Sequence, residues 1–357
     1  MTLWVRMLPI LMAVAMGREG WAQAQYQQAQ FPGANVNFNF QDVSWLTVAP
    51  GNNIFMLQRA GADISIWSPA GQVLRQWRMD ELQFPHSLRI QNDADAEHIW
   101  VTDMVPPGIQ AGPGIVPHGH CVKEFSEFGK LLGTIGTCGE GGSSLNPVQF
   151  DKVTDIAFDS QGRRWISDGD LGGLNNRVLQ LDRKGNVLQV WSAPGNAPGS
   201  GPREFNLPHA LDIDSCDRVF VADTLNHRIQ VIRTDGTVLQ QLQCFGADGV
   251  YGLRLTKTNA SGQLQLATTS SPTQSPTGGT VRLFNVAPSC AAPKPVPDDC
   301  TTAAQWHIAL PPSPMTAMLH SIDVDSTGGI YIATLGGNLP PQKWVPVPSP
   351  GTTTVPR

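Results

Sequence analysis

Leu207-Pro208-His209-Ala210-Leu211-Asp212-Ile213-Asp214, Arg218-Val219-Phe220-Val221-Ala222-Asp223 and Asn226-His227-Arg228-Ile229-Gln230-Val231-Ile232 follow one another closely in this chain. The first two are apolar runs that end in Asp. A polar turn then leads into the third, and Thr234-Asp235-Gly236-Thr237 separates it from Val238-Leu239-Gln240. An Asp-Gly turn between alternating runs is a strong hairpin signal. The segment therefore reads as four short antiparallel strands. A second copy starts at Thr154 and runs through Arg163–Asp168, Asn176–Leu181, a Lys184-Gly185-Asn186 turn and Val187–Trp191. Four strands per unit, in units of about 45–65 residues, is the pattern of a β-propeller blade.

Extending the register in both directions places inner-strand starts near Trp45, His86, Thr154, His209, Tyr251 and His320. The expected fold is all-β: a six-bladed propeller with four antiparallel strands per blade, its ring closed so that no sheet edge is left open. A closing strand is expected around Lys343-Trp344-Val345. Composition agrees, with 36 Gly and 29 Pro for many turns and only 15% charged residues. A net charge of −5 and no Lys/Arg cluster argue against a nucleic-acid partner. Nucleophilic-serine chemistry lacks a Gly-x-Ser-x-Gly elbow, and Gly139–Ser144 lacks the lysine and following helix of a phosphate loop.

Three histidines share one local setting: Phe84-Pro85-His86-Ser87-Leu88, Leu207-Pro208-His209-Ala210-Leu211 and Met318-Leu319-His320-Ser321-Ile322. They lie about two repeats apart, so every second blade carries one at the start of its innermost strand. Three imidazoles a third of a turn apart around an axis form a metal site with an open fourth position. His227 belongs to the repeat's own turn, and His98 and His307 read as strand-flanking. His118 and His120 fall at the end of a long Gly/Pro-rich excursion, Pro106–Gly119, suited to covering one mouth of the channel.

The amino terminus reads as an export leader: Arg6, an apolar stretch from Met7 to Met16, and Ala22-Gln23-Ala24 as a cleavage site. The stretch is too short to span a bilayer. The expected organisation is a signal peptide over 1–24, an extension over 25–40, the propeller over 41–346 and a Pro/Thr-rich tail over 347–357. The product would be secreted or periplasmic, monomeric, and free of the membrane once the leader is removed. Six cysteines behind such a leader predict disulfides. Proximity favours Cys121–Cys138, Cys216–Cys244 and Cys290–Cys300.

The Leu225–Val231 turn closely matches the motif of NHL-repeat propellers. Over roughly residues 50–345 the chain resembles the catalytic domain of peptidyl-α-hydroxyglycine α-amidating lyase, most closely at the three histidine segments and at Ile99–Asp103, Trp165–Gly169 and Val219–Val231. The resemblance implies zinc held by His86, His209 and His320, with Arg59 near the metal and Met318 in the channel. It also implies a structural calcium that takes the Leu88 carbonyl as one ligand. Departures accompany the likeness. Where the family has a catalytic tyrosine after Ser-Asp-Gly, this chain has Asp170. Where it has a second active-site arginine, this chain has Thr224, and its calcium-binding aspartate is replaced by Ser321.

The resemblance thus implies a lyase that cleaves the C–N bond of an N-(α-hydroxy) amide bound, as a small molecule or peptide, in the channel. The metal would acidify the hydroxyl and a base would take its proton. Asp170 or Tyr251 would have to supply that base, and Lys152 a replacement cation. Each also has a plainer reading: Asp170 as a solvated loop residue, Tyr251 as core packing, Lys152 as an exposed lysine. A zinc hydrolase acting on esters or lactones, and a non-catalytic propeller binding a peptide or glycan, remain as alternatives.

Overall fold

The computed structural model describes residues 26–31, 38–92, 97–106, 117–257, 263–273, 278–310 and 317–347. The leader (1–24) and nearly all of the tail (348–357) lie outside them. The first strand, β1 (Tyr26–Ala29), precedes blade 1: β2 (Val43–Val48), β3 (Ile54–Gln58), β4 (Asp63–Trp67) and β5 (Val73–Arg78). Blade 2 holds β6 (Phe84–Asn92), β7 (Glu97–Met104), β8 (Cys121–Ser126) and β9 (Leu131–Ile135). Blade 3 holds β10 (Val153–Phe158), β11 (Arg164–Asp168), β12 (Arg177–Leu181) and β13 (Val187–Ser192). Blade 4 holds β14 (Pro208–Ile213), β15 (Arg218–Asp223), β16 (Arg228–Arg233) and β17 (Val238–Leu242). Blade 5 holds β18 (Asp248–Lys257), β19 (Leu264–Pro272), β20 (Gly278–Asn285) and β21 (Ala304–Ala309), and blade 6 opens with β22 (Met318–Val324), β23 (Ile330–Leu335) and β24 (Gln342–Pro346).

Each blade is a four-stranded antiparallel sheet, so the fold is the six-bladed propeller expected. Burial grades outward. The inner strand β2 is buried along its whole length, whereas the outer strand β5 is mostly exposed. That is why inner strands read as continuous apolar runs and outer ones alternate.

The ring closes through its ends. β1 pairs antiparallel with β24, from Tyr26 opposite Pro346 to Ala29 opposite Lys343, and becomes the outermost strand of blade 6. The propeller therefore begins at Tyr26, inside the stretch that the sequence reading set aside as an extension. Further along that stretch, Phe31 and Phe38 pack edge-on against Trp67, and Phe40 stacks on it. The reason is topological: only closure of the circle brings the two ends of the chain into one sheet.

Repeated ion pairs brace the blades. Asp168 meets Arg177 at 3.0 Å, Asp223 meets Arg228 at 2.7 Å, and Asp103 meets Lys123 at 2.6 Å, all buried. In each case the acid lies near the end of the second strand and the cation in the third, so the Asp and Arg of the repeat motif are structural.

Three disulfides form, and among the described residues no cysteine is free. Cys121–Cys138 is as expected. The other two pairings are corrected to Cys216–Cys290 and Cys244–Cys300. Proximity in sequence misleads here because residues 286–303 leave blade 5 and lie against blade 4. Arg218 of blade 4 donates to the carbonyls of Ala287 and Ser289 in that excursion, and Gln240 donates to that of Val296. Three disulfides mark an extracellular or otherwise oxidising environment. No helix among the described residues is long and apolar enough to cross a membrane.

Candidate metal centre

In every blade the pairing between the innermost strand and its neighbour slips at one residue. That residue is Ser44, His86, Thr154, His209, Tyr251 and His320 in blades 1 to 6. A β-bulge leaves one residue unpaired and re-aims its side chain. The propeller repeats this device six times, and every second copy carries histidine. The sequence reading placed Trp45 in the ring for blade 1; the bulge falls one residue earlier, on Ser44.

His86, His209 and His320 are buried, and one ligand atom from each lies within 4.8 Å of the others. Their ring centroids are 4.6, 4.6 and 4.8 Å apart. Each Nδ1 sits on the backbone carbonyl of the bulge residue in the next blade. His86 donates to Thr154 at 2.8 Å, His209 to Tyr251 at 2.7 Å and His320 to Ser44 at 2.7 Å. Even blades supply imidazoles and odd blades supply the carbonyls that orient them. A carbonyl can only accept, so each Nδ1 carries the proton and each Nε2 presents a lone pair. Metal-ligating histidines are commonly fixed by such a second hydrogen bond. His86 Nε2 is buried and has no hydrogen-bond partner.

Burial lowers the pKa of all three rings. For His86 and His320 the neighbouring imidazoles and the Arg59 charge add to that, and both fall well below the ordinary 6.5. Asp170 pulls His209 the other way. Neutral rings with convergent lone pairs in a buried channel are the protonation state that a metal requires. The site is thus one that a divalent ion fits.

Asp170 and Arg59 share this environment. Asp170 Oδ2 lies 3.7 Å from His86 Nε2, on a carboxylate about one-fifth exposed. Arg59 is buried against Phe84 and donates from Nε to the Pro85 carbonyl, yet its Nη2 has no partner. Tyr251 meets the His209 ring edge-on at 5.2 Å, and burial together with Asp170 and Asp248 pushes its phenol up to about 12. A phenol so placed keeps its proton, so it suits a donor rather than the base. Lys152 is buried, not an exposed lysine, and donates to the Val105 carbonyl at 3.0 Å. Met318 is half-buried at the start of β22, opposite Leu335. Thr224, where the family carries its second arginine, is buried and spends its hydroxyl on the Val250 carbonyl.

Sequence reasoning passed over Arg89, which stands beside Trp45. The Trp45 ring lies between His86 and His320, at 6.1 and 6.0 Å. On its other contact stands Arg89, 5.1 Å from the ring, paired bidentately with Asp155 at 3.0 and 2.5 Å and donating to the Leu211 carbonyl. Arg254 joins the same layer through Asp323 at 3.1 Å and Asp212 at 3.4 Å. The signal available was an arginine inside an inner-strand apolar run, where a charge needs a buried partner.

This layer bears on calcium. The Leu88 carbonyl already accepts the Thr47 hydroxyl at 2.7 Å, and Ser321 Oγ accepts the Leu46 amide. Asp155 and Asp323, the nearby carboxylates, are bound to guanidinium groups. Calcium takes six to eight oxygen ligands, and these residues do not fit it. A surface cavity of about 530 Å³ is lined by residues of blades 2 and 3, including Trp100, Arg164 and Lys184. None of its lining belongs to the histidine layer.

The NHL repeat matches residues 205–232, the blade 4 stretch around His209. Human NHL repeat-containing protein 3 is 33% identical over 292 residues, covering 80% of this chain and 73% of the relative. The chain belongs to the NHL repeat-containing protein 3 family. Peptidyl-alpha-hydroxyglycine alpha-amidating lyase 1 of Drosophila melanogaster is 26% identical over 189 residues, covering 51% of this chain and 31% of the fly protein. Family membership and this more distant homology together bear out the NHL-type propeller and its likeness to the amidating lyases. Among solved structures, virginiamycin B lyase from Staphylococcus aureus superposes with a TM-score of 0.51 at 13% identity, over 90% of this chain and 98% of that one. That likeness is one of fold.

Proposed function

We propose that this protein is an exported, metal-dependent lyase that cleaves the C–N bond of an N-(α-hydroxy) amide carrying a carboxylate. The observation that carries it is the set of three convergent Nε2 lone pairs, each locked by a carbonyl from the next blade. The similarity to the fly amidating lyase supports the reaction class. The leader over 1–24 would deliver a monomer to the oxidising compartment its disulfides call for, and the substrate would be a small molecule or peptide entering the channel.

His86, His209 and His320 would hold zinc, which, when bound, acidifies a hydroxyl group presented to it. Arg59 Nη2, buried and without a partner, receives the substrate carboxylate and orients the reacting carbon. Asp170 takes the proton from the hydroxyl oxygen. The carbon–oxygen double bond forms as the C–N bond breaks, and the departing amide nitrogen regains a proton from Asp170. The products are a primary amide and a glyoxylate-type aldehyde. Tyr251, protonated, donates a hydrogen bond toward the oxygen as charge develops.

The test is glyoxylate release from an α-hydroxyglycine compound by the purified protein, measured beside its zinc content. Stoichiometric zinc with activity lost in His209→Ala supports the reading. Stoichiometric zinc with no turnover of that compound removes the lyase. Turnover of esters or lactones would then make the protein a hydrolase instead.

A further inference from the structure

We propose that Asp170 is the fourth protein ligand of the channel metal in the resting protein, capping the position that three histidines alone would leave to water. The inference rests on the three-histidine metal reading above and deepens it.

Three observations carry it. First, the Asp170 carboxylate is already oriented. The Leu171 amide donates to Oδ1 at 2.7 Å, the Gly173 amide donates to the Asp170 carbonyl at 2.9 Å, and the Leu174 amide closes the loop onto Asp151. With Oδ1 engaged, Oδ2 faces His86 Nε2. Second, the 3.7 Å between them is too long for a hydrogen bond. Because His86 Nδ1 holds the proton, both facing atoms are electron-pair donors. Two donors aimed at each other in a largely buried site call for a cation between them. Third, the spacing suits a shared ion. Donors at about 2.0–2.2 Å on one tetrahedral metal lie roughly 3.4 Å apart, close to the separation found. Arg59, the other positive group here, feels the Asp170 charge but has no hydrogen bond to it: its Nε goes to the Pro85 carbonyl and its Nη2 has no partner.

Replacing a tyrosine by an aspartate at this position therefore changes the donor set from three nitrogens to three nitrogens and a carboxylate oxygen. A harder fourth donor widens the range of divalent ions that the site accepts. It also makes Asp170 a displaceable cap: an incoming hydroxyl takes the fourth position, and the freed Oδ2 stands beside it to accept its proton.

Cobalt(II) loaded into the full-length, metal-stripped protein tests this by a readout independent of turnover. A water in the fourth position ionises near about pH 7 and shifts the visible spectrum across that pH; a carboxylate there does not. The wild type is expected to give a four-coordinate spectrum that is flat across neutral pH. Asp170→Asn and Asp170→Ala are expected to acquire a titration near neutrality. They should also bind the ion on the order of 10–100-fold more weakly in chelator competition. His209→Ala is the control for loss of the site, and circular dichroism confirms that each variant is folded. If the wild type takes up cobalt but titrates like the two variants and binds no more tightly, the capping role is overturned and the three-histidine site stands. If the wild type takes up no cobalt, both fall together.

Discussion

Two layers of one channel answer the same problem in opposite ways. In the guanidinium–carboxylate layer, Arg89 and Arg254 face Asp155, Asp212 and Asp323, and every charge has a partner within the chain. In the histidine layer, three neutral rings turn their lone pairs inward, and His86 Nε2 meets no donor. Both layers come from the same inner strands, and Arg89, Asp212 and Asp323 stand three residues beyond His86, His209 and His320. A buried polar cluster that satisfies itself holds a fold together, whereas one left with convergent acceptors is built for something from outside.

The contrast can be broken most sharply at the histidines. His86→Ala, His209→Ala or His320→Ala should each weaken zinc binding by on the order of 100-fold or more while the propeller stays folded, read by chelator competition and circular dichroism. A variant that keeps wild-type affinity would mean that the rings do not act as a set. In the other layer the effect should appear in stability. Arg89→Met leaves Asp155 buried without its cation and is expected to cost about 3–5 kcal/mol in denaturant unfolding. The double variant Arg89→Met/Asp155→Leu should recover most of that loss, since a replaced pair is often neutral.

Arg59→Met sharpens the division between holding metal and holding substrate. Metal content should stay unchanged, while KM for a carboxylate-bearing substrate rises by about 10–100-fold, or about 1.4–2.8 kcal/mol. A smaller effect concerns pH. Unfolded imidazoles protonate near 6.5, whereas the buried rings resist protonation. The unfolded state therefore takes up more protons as pH falls, and the metal-free protein should lose stability progressively below about 6.5, with none lost above it. His320→Gln should flatten that slope. The smallest expected effect is none: a calcium-selective chelator should leave the melting temperature unchanged, because Arg89 already supplies the channel's positive charge.

The blades and the spacing of the three histidines were legible because both repeat. Alternating runs, Asp-Gly turns and Asp–Arg pairs are local signals, and two-repeat gaps convert directly into angles around a ring. What escaped depends on contacts made only after closure. β1 pairs with a strand from the other end of the chain. Cys216 and Cys244 find partners on an excursion from the next blade. Ser44 took the place expected for Trp45 because a bulge shifts the count by one residue. The partners of Arg89 come from blades 3 and 4, so no local pattern around that residue announced its layer.

The account stands on the histidine layer gripping one ion. Anomalous diffraction at the zinc edge from crystals of the purified protein tests this most directly. The account predicts a single strong peak on the channel axis, about 2.0–2.1 Å from the Nε2 atoms of His86, His209 and His320. No peak there from zinc-supplemented protein, or rings rotated so that Nε2 points away from the axis, would contradict it.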